Sequence, residues 1–427
     1  MTGKFFKYAL QSVAGMIGLS VYVLADTFFI AQGSGADGLA VLNLVLPVFG
    51  LMFAFGSMIG IGSATRYTIQ KSAGKETDYY FMQAVMWELI ISIPFVLTGT
   101  FFPKQFLHIM GADNSLAELG KPYMQIVLIA APLFMTNYTF TAFARNDNAT
   151  MIAMIGALVG SLFNVVFDYI LMFPMKLGLT GAALATAISP AITIIICSTH
   201  FFSKRSQISF KLRLPMPRHI ISCCSLGVSA FVGEISGAVT TTVFNMLILG
   251  IAGNTGVAAY GVIANTAYVA IAILNGLAQG TQPLISESYG NNNHNEVKHL
   301  LKLELVVCVI IEAVIILCAW GLTTPLIHAF NSENNELLAT YAFSGLRLYS
   351  LGFIFAGINI MLINFFSATD KAKPAFIGSI LRGLVAIAVC AVVLAKLFGL
   401  NGVWCSFLAA ELLTFIVVIV MQRKTAH

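Results

Sequence analysis

The sequence predicts an all-α polytopic membrane protein with twelve transmembrane helices in two pseudosymmetric six-helix bundles. Three observations lead there. Of 427 residues, 58% are hydrophobic and 10% are charged, against about 25% charged in soluble domains. The chain has too little polar surface to cover itself in water. Its Lys and Arg residues alternate sharply between successive loops, and its second half repeats its first.

Taken in order, the apolar runs place spans at 8–32, 38–70, 83–103, 121–144, 150–173, 179–202, 219–250, 257–288, 300–321, 338–366, 374–397 and 401–421. Each is read as helix, because a lipid-exposed backbone must satisfy its own hydrogen bonds. The first run follows MTGKFFKYALQ, whose two lysines give it a faint likeness to a signal peptide. No small-residue cleavage site follows and the run continues to Ala31, so it reads as a span. Several runs exceed the roughly 20 residues needed to cross, and these helices are expected to tilt, bend or continue beyond the lipid. The cysteines at 197, 223, 224, 308, 318, 390 and 405 lie in apolar segments with no CxxC spacing. They read as small buried hydrophobes.

Between spans, one side holds Lys4, Lys7, Lys71, Lys75, Arg145, Lys204, Arg205, Lys211, Arg213, Arg218, Lys298, Lys371, Lys373, Arg423 and Lys424. The other holds only Lys104, Lys121, Lys176 and Lys396. The richer side is expected to be cytoplasmic, with both termini inside. The net charge of +5 therefore marks loop orientation and does not point to nucleic acid.

The repeat is visible in short matches. GLTGAALA at 178–185 answers GLNGVWCS at 399–406, and NDNAT at 146–150 answers TDKAK at 369–373, which pairs Asp147 with Asp370. Gly38-Leu-Ala answers Gly256-Val-Ala, Gly62-Ser answers Gly280-Thr, His108 answers His328, and Glu88 answers Glu304. Six spans separate the copies, an even number, so the repeats run parallel about an axis along the membrane normal. The expected units are 1–202, a basic cytoplasmic linker at 203–218, and 219–427. Two such lobes can rock about a central cavity, which favours transport.

Other classes lack their signatures. A membrane enzyme would need a catalytic constellation, but there is no HExxH and no paired-His metal spacing, and His108 and His328 are flanked by polar loops. A channel would show a filter signature or repeated pore helices. No GxxxxGK[ST] loop is present, so ATP is not the direct energy source.

The run ARNDNATMIAMIGALVGSLFNVVFDYILMFPMKLGLTGAALATA, 144–187, resembles the multidrug and toxic compound extrusion (MATE) family of cation-coupled exporters, in particular its bacterial multidrug branch. LADTFFIAQG at 24–33 and QGTQPLISESYG at 279–290 extend the resemblance across the chain. It implies two six-helix lobes around a V-shaped cavity, and antiport of amphiphilic organic cations against protons or sodium by alternating access. It implies no cofactor beyond the coupling ion, and a monomer in the inner membrane whose partners are small molecules and the bilayer. One departure is the first span, which has Gly15 and Gly18 where the family commonly has a proline. The alternative on a related plan is a flippase of lipid-linked precursors. Its diphosphate substrates would favour a more basic cavity, whereas Asp26, Asp168 and Glu234 favour a cationic one.

The candidate cation site rests first on depth. Asp26 lies about six residues before the outer end of span 1, and Asn164 and Asp168 about nine and five before that of span 5. Thr186 lies about seven after the outer start of span 6. At 1.5 Å per residue, all four sit roughly 7–14 Å below the outer surface. Oxygen-bearing side chains at one depth can replace the water around a hard cation such as sodium, and two neighbouring carboxylates can instead share a proton. The resemblance assigns the coupling cation to these four positions and adds Tyr123, near the outer end of span 4. Shifted by the repeat, Asn164 and Asp168 become Ile387 and Ala391, and Asp26 becomes Phe244, so the acidic cluster belongs to one half only. Glu234, near mid-membrane in span 7, is the expected acid for cation or substrate in the other lobe. Arg382 is expected to pair with a carboxylate or helix carbonyls. Glu88, Glu304, Glu312 and Glu411 are interior by count, and Glu88 and Glu304, paired by the repeat near the inner ends, read as structural.

The orientation is testable by labelling. Cysteines placed in 203–218 should resist an impermeant thiol reagent added to intact cells, and cysteines at 331–335 should react. The reverse pattern would overturn the positive-inside assignment.

Overall fold

The computed structural model describes residues 1–330 and 335–425. Positions 331–334, chosen above for labelling, lie outside the described residues. All regular structure among the described residues is helical. Spans 1 and 2 run through Thr2–Gly35 and Asp37–Ser72, and span 3 is Tyr80–Phe101. Span 4 combines Asn114–Ile129 and Ala131–Asn146, bent by 41°. Spans 5 and 6 are Thr150–Met172 and Gly178–Phe201. Spans 7 and 8 form one continuous run, Pro217–Gly290, divided at Gly253. Span 9 is His294–Gly321. Span 10 combines Glu336–Ser350 and Phe353–Ala368, bent by 45°. Spans 11 and 12 occupy 372–425 and divide at Gly399.

The two halves share their irregularities as well as their helices. Span 1 turns into span 2 at Gly35 (φ 62°), and span 7 into span 8 at Gly253 (φ 63°), 218 residues later. Such a left-handed residue costs glycine nothing but strains an L side chain, so helix can follow helix with no loop. The bends in spans 4 and 10 also correspond.

The structure corrects one detail of the repeat register. Asn148 (φ 63°) and Asp370 (φ 58°) are the equivalent left-handed turn residues. Thr150 and Ala372 then begin the next helices. The offset here is 222 residues, so Asp370 pairs with Asn148 and not with Asp147. Sequence matching slipped because an aspartate stood one residue from the turn position in the first copy.

Further along, GALVG at 156–160 faces GSILRG at 378–383, one residue longer. The extra residue falls where span 11 opens into a π-helical segment, Leu381–Ala386. A π segment absorbs an insertion without ending the helix. Beyond it the offset is 223, which keeps Asn164 opposite Ile387 and Asp168 opposite Ala391.

The lobes meet along the ends that carry the basic loops. Gly62 of span 2 lies against the backbone of Cys223 and Gly227 in span 7, and a Cβ on Gly227 would stand 1.9 Å from the Met58 carbonyl oxygen. By the pseudosymmetry, Gly276 and Gly280 of span 8 press on the backbone of span 1 at Val13 and Tyr8. Cross-lobe polar contacts gather at the same end: Arg66 to Asp370 at 2.7 Å and to the Ser222 carbonyl at 3.1 Å, and Asn146 to Gln282 at 3.3 Å. Phe5, Tyr8 and Ala9, at the start of span 1, pack within the apolar core of the second lobe. The 203–218 linker is tied to the first lobe. Gln83 hydrogen-bonds the backbone of Arg213, Leu214 and Met216, and buried Asp147 accepts from the Gln207 amide at 2.9 Å.

This close backbone approach predicts an overpacking effect. In a cysteine-free background, Gly227→Val should cost about 1–3 kcal/mol of inter-lobe packing. Gln282→Cys, whose site is buried between the lobes, should then react with a thiol reagent at least severalfold faster. An unchanged rate would show that the interface yields without separating.

Candidate functional site

The structure brings all five predicted first-lobe residues together. Asp168, Asn164 and Tyr123 are 0% exposed, Thr186 6% and Asp26 8%. They come from four helices: Asp26 from span 1, Tyr123 from span 4, Asn164 and Asp168 from span 5, and Thr186 from span 6. Span 5 places Asn164 and Asp168 one turn apart on its inward face. The Asn164 amide donates to the Thr186 hydroxyl at 3.2 Å, which joins spans 5 and 6 and leaves the Asn164 carbonyl oxygen turned elsewhere.

The carboxyls of Asp26 and Asp168 are close enough for one to donate to the other when either is protonated. Both oxygens of Asp168, one of Asp26, the Asn164 carbonyl and the Tyr123 hydroxyl are buried without a hydrogen-bond partner among the described residues. An unpaired buried polar atom normally costs about 1–3 kcal/mol. Five such oxygens from three helices form a donor set for a proton or a hard monovalent cation. With two carboxylates, one amide oxygen and hydroxyls, the set suits sodium better than a softer transition metal. No group of three or more His, Cys, Asp or Glu with metal-binding geometry occurs among the described residues.

Glu234 stands apart from this cluster. It lines a cavity of about 350 Å³ bounded mainly by spans 7, 8, 10, 11 and 12. The Tyr138 hydroxyl, from span 4 of the other lobe, donates to it at 3.4 Å. Sequence reasoning missed Tyr138 and Tyr22. Tyr22 is near enough to Asp26, Asp168, Glu234 and Tyr268 to interact with each electrostatically. Its signal was available: it lies four residues before Asp26, on the same helical face.

Arg382 does pair with a carboxylate. Its Nε lies 2.9 Å from one oxygen of Glu411 and 3.1 Å from the other. The Asn359 side chain donates to Glu411 as well, at 2.7 Å. Arg382 and Glu411 both line the cavity that Glu234 lines. The remaining acids have structural partners. Glu88 accepts from Thr139 at 2.7 Å, Glu304 accepts from Thr281, and Glu312 accepts from the backbone amides of Gly357 and Ile358. His108 bonds the Ala112 carbonyl at the end of a short helix, and His328 is exposed.

Comparison with known proteins follows this geometry. The profile of the MatE family matches residues 12–170 and 230–392. The chain is 29% identical over 413 residues to the multidrug export protein MepA of Staphylococcus saprophyticus, covering 94% of this chain and 89% of that one. It is 28% identical over 433 residues to MepA of Staphylococcus haemolyticus, covering 98% and 93%. Among solved structures, it resembles a multidrug resistance MATE family transporter of the MOP superfamily in an outward-facing conformation. The TM-score is 0.92 at 21% identity, covering 99% of this chain and 95% of that one. A MATE structure in a bent conformation matches with a TM-score of 0.88 at 21% identity.

The ion pair gives a stability prediction. Removing one partner should strand a buried charge and cost about 3–5 kcal/mol, whereas replacing both with neutral side chains should cost far less. Thermal unfolding in detergent should therefore rank Arg382→Met well below the double variant Arg382→Met/Glu411→Gln. Equal losses would mean that packing, not charge, dominates the site.

Proposed function

The chain belongs to the MatE family, and from that premise we propose that it is a secondary active multidrug exporter. It exchanges amphiphilic organic cations for protons or sodium by alternating access. The observation that carries this reading is the set of unpartnered buried oxygens on Asp26, Asn164, Asp168 and Tyr123. The staphylococcal relatives, named as multidrug export proteins, support the class of cargo.

The first lobe, 1–202, binds the coupling ion, with Thr186 holding Asn164 in place. The second lobe, 219–427, contributes Glu234 to the cavity that receives the organic cation. Both termini and the 203–218 linker lie on the cytoplasmic face of the inner membrane, and the working unit is a monomer. The cytoplasmic ends are shut by the glycine contacts and by Arg66, so the cavity faces outward and the cargo is released there. Entry of a coupling cation then favours the return to the inward-open state. A potential of 100 mV supplies about 2.3 kcal/mol for each charge moved inward.

Exchange needs no ATP and no cofactor besides the coupling ion. Two carboxylates at Asp26 and Asp168 hold one pool of negative charge, and burial makes that charge costly unless a proton or cation accompanies it. Organic cation and coupling ion therefore compete electrostatically. A flippase of lipid-linked diphosphates fits less well, because the cavity pairs its one arginine with Glu411 and adds Glu234.

Asp26→Asn and Asp168→Asn should each abolish drug resistance, with insertion and expression retained. Affinity for an organic cation should fall as proton or sodium concentration rises, and that dependence should shrink in Asp168→Asn. Resistance surviving in both variants, or a wild-type affinity flat against both ions, would leave these aspartates with a structural task only.

A further inference from the structure

The ion pair in the second lobe uses little of its arginine. A guanidinium carries five donors in a rigid fork, and a structural pair with a carboxylate commonly spends two of them in parallel. Here only Nε meets Glu411. The terminal nitrogens of Arg382 make no hydrogen bond among the described residues, and the side chain, 18% exposed, is part of the cavity wall. Glu411 in turn is 3% exposed and is held by Asn359, which donates to both its side chain and its backbone carbonyl. The carboxylate thus serves as a fixed back-stop that sets the guanidinium plane. The outward edge of the fork is left for another acceptor.

Local architecture singles out the same residue. The one-residue insertion that separates GSILRG from GALVG lies beside Arg382, within the stretch that becomes π-helical. Glycine at 383 lets span 11 approach span 7, where an added Cβ would lie 2.6 Å from the Ser236 Cβ. Ser236 is two residues from Glu234. The cavity therefore carries a fixed cation on one wall and a carboxylate on a neighbouring wall. The first lobe has no counterpart, since the matching span 5 is regular α-helix and has no arginine there.

We propose that Arg382, held by Glu411, is a subsite for a carboxylate on the transported molecule, and so the residue that lets the cavity distinguish cargo with an acid group from the same cargo without one. The amine or delocalised cation of such a molecule goes toward Glu234, and its carboxylate takes the free fork of Arg382. A planar fork matches a carboxylate in two parallel bonds, which an ammonium cannot reproduce. The subsite rests on the exporter reading above, and its test is designed to fail separately from it.

Two dyes that differ only at the acid make the test. Rhodamine 110 carries a free carboxylate beside its cationic xanthylium, and rhodamine 123 is its methyl ester. Binding of each to the purified full-length protein is measured by fluorescence polarisation, in wild type, Arg382→Lys and the double variant Arg382→Met/Glu411→Gln. The double variant removes both charges together and so avoids a stranded carboxylate. The expected result is a loss of about tenfold or more for rhodamine 110 in the double variant, a smaller loss in Arg382→Lys, and a change within about twofold for rhodamine 123. Equal changes for both dyes, or no change for rhodamine 110, would overturn the subsite and leave the exporter reading standing. If wild type binds neither dye, both readings fall.

Discussion

In hydrocarbon a buried polar group has no water to fall back on, and this constraint shapes the rest of the molecule. The backbone meets it by forming helices. Many hydroxyls meet it by bonding back along their own helix, as Thr65 does to Ile61 and Thr281 to Leu277. Glu88 and Glu304 each keep a hydroxyl partner, from Thr139 and Thr281. Against that background Asp168 is anomalous, because neither of its oxygens has a partner. Glu88 and Glu304 each leave only one oxygen bare, whereas Asp168 leaves both. A site that must receive and release an ion has to leave its own polar atoms unsatisfied, and here such atoms from three helices converge.

The internal duplication separates scaffold from chemistry. What both copies keep is backbone geometry: the left-handed glycines at 35 and 253, the bends of spans 4 and 10, and the turn residues Asn148 and Asp370. What differs is charge. The first lobe carries Asp26, Asn164 and Asp168 where the second has Phe244, Ile387 and Ala391. The second lobe carries Arg382 in an inserted residue's worth of π-helix. A duplicated frame supplies two bundles able to move against each other. On the proposed reading, the departures from symmetry give them different partners, an ion in one and the organic molecule chiefly in the other.

Much of this was legible in the sequence, for identifiable reasons. Hydropathy found all twelve spans because lipid imposes length and composition directly. The depth argument grouped Asp26, Asn164, Asp168 and Thr186 because helical rise converts residue count into height. Lateral neighbours were harder to read. Nothing in linear spacing tells which faces of spans 11, 12 and 10 meet, so the Arg382–Glu411–Asn359 arrangement emerged only in three dimensions. Tyr138 reaches Glu234 from the other lobe, a contact that the repeat itself cannot predict. The slip that paired Asp147 with Asp370 has the same origin. Residue identity was matched where the constraint acts on φ, and asparagine and aspartate serve that left-handed turn equally well.

The separation of the two regions does not prevent them from being coupled. Tyr22 interacts electrostatically with Asp26, Asp168 and Glu234, which puts all three carboxylates in the neighbourhood of one side chain. At an effective dielectric constant of about 20, a unit charge about 10 Å away is worth about 1.7 kcal/mol, more than a tenfold change in a binding constant. On the proposed reading, an ion seated between Asp26 and Asp168 would therefore weaken the hold of the cavity on an organic cation. A zwitterion seated across Glu234 and Arg382 brings no net charge and escapes most of that repulsion. The same cavity would then release simple cations more readily than zwitterions when the ion enters, and the dependence of affinity on the coupling ion would follow the net charge of the cargo.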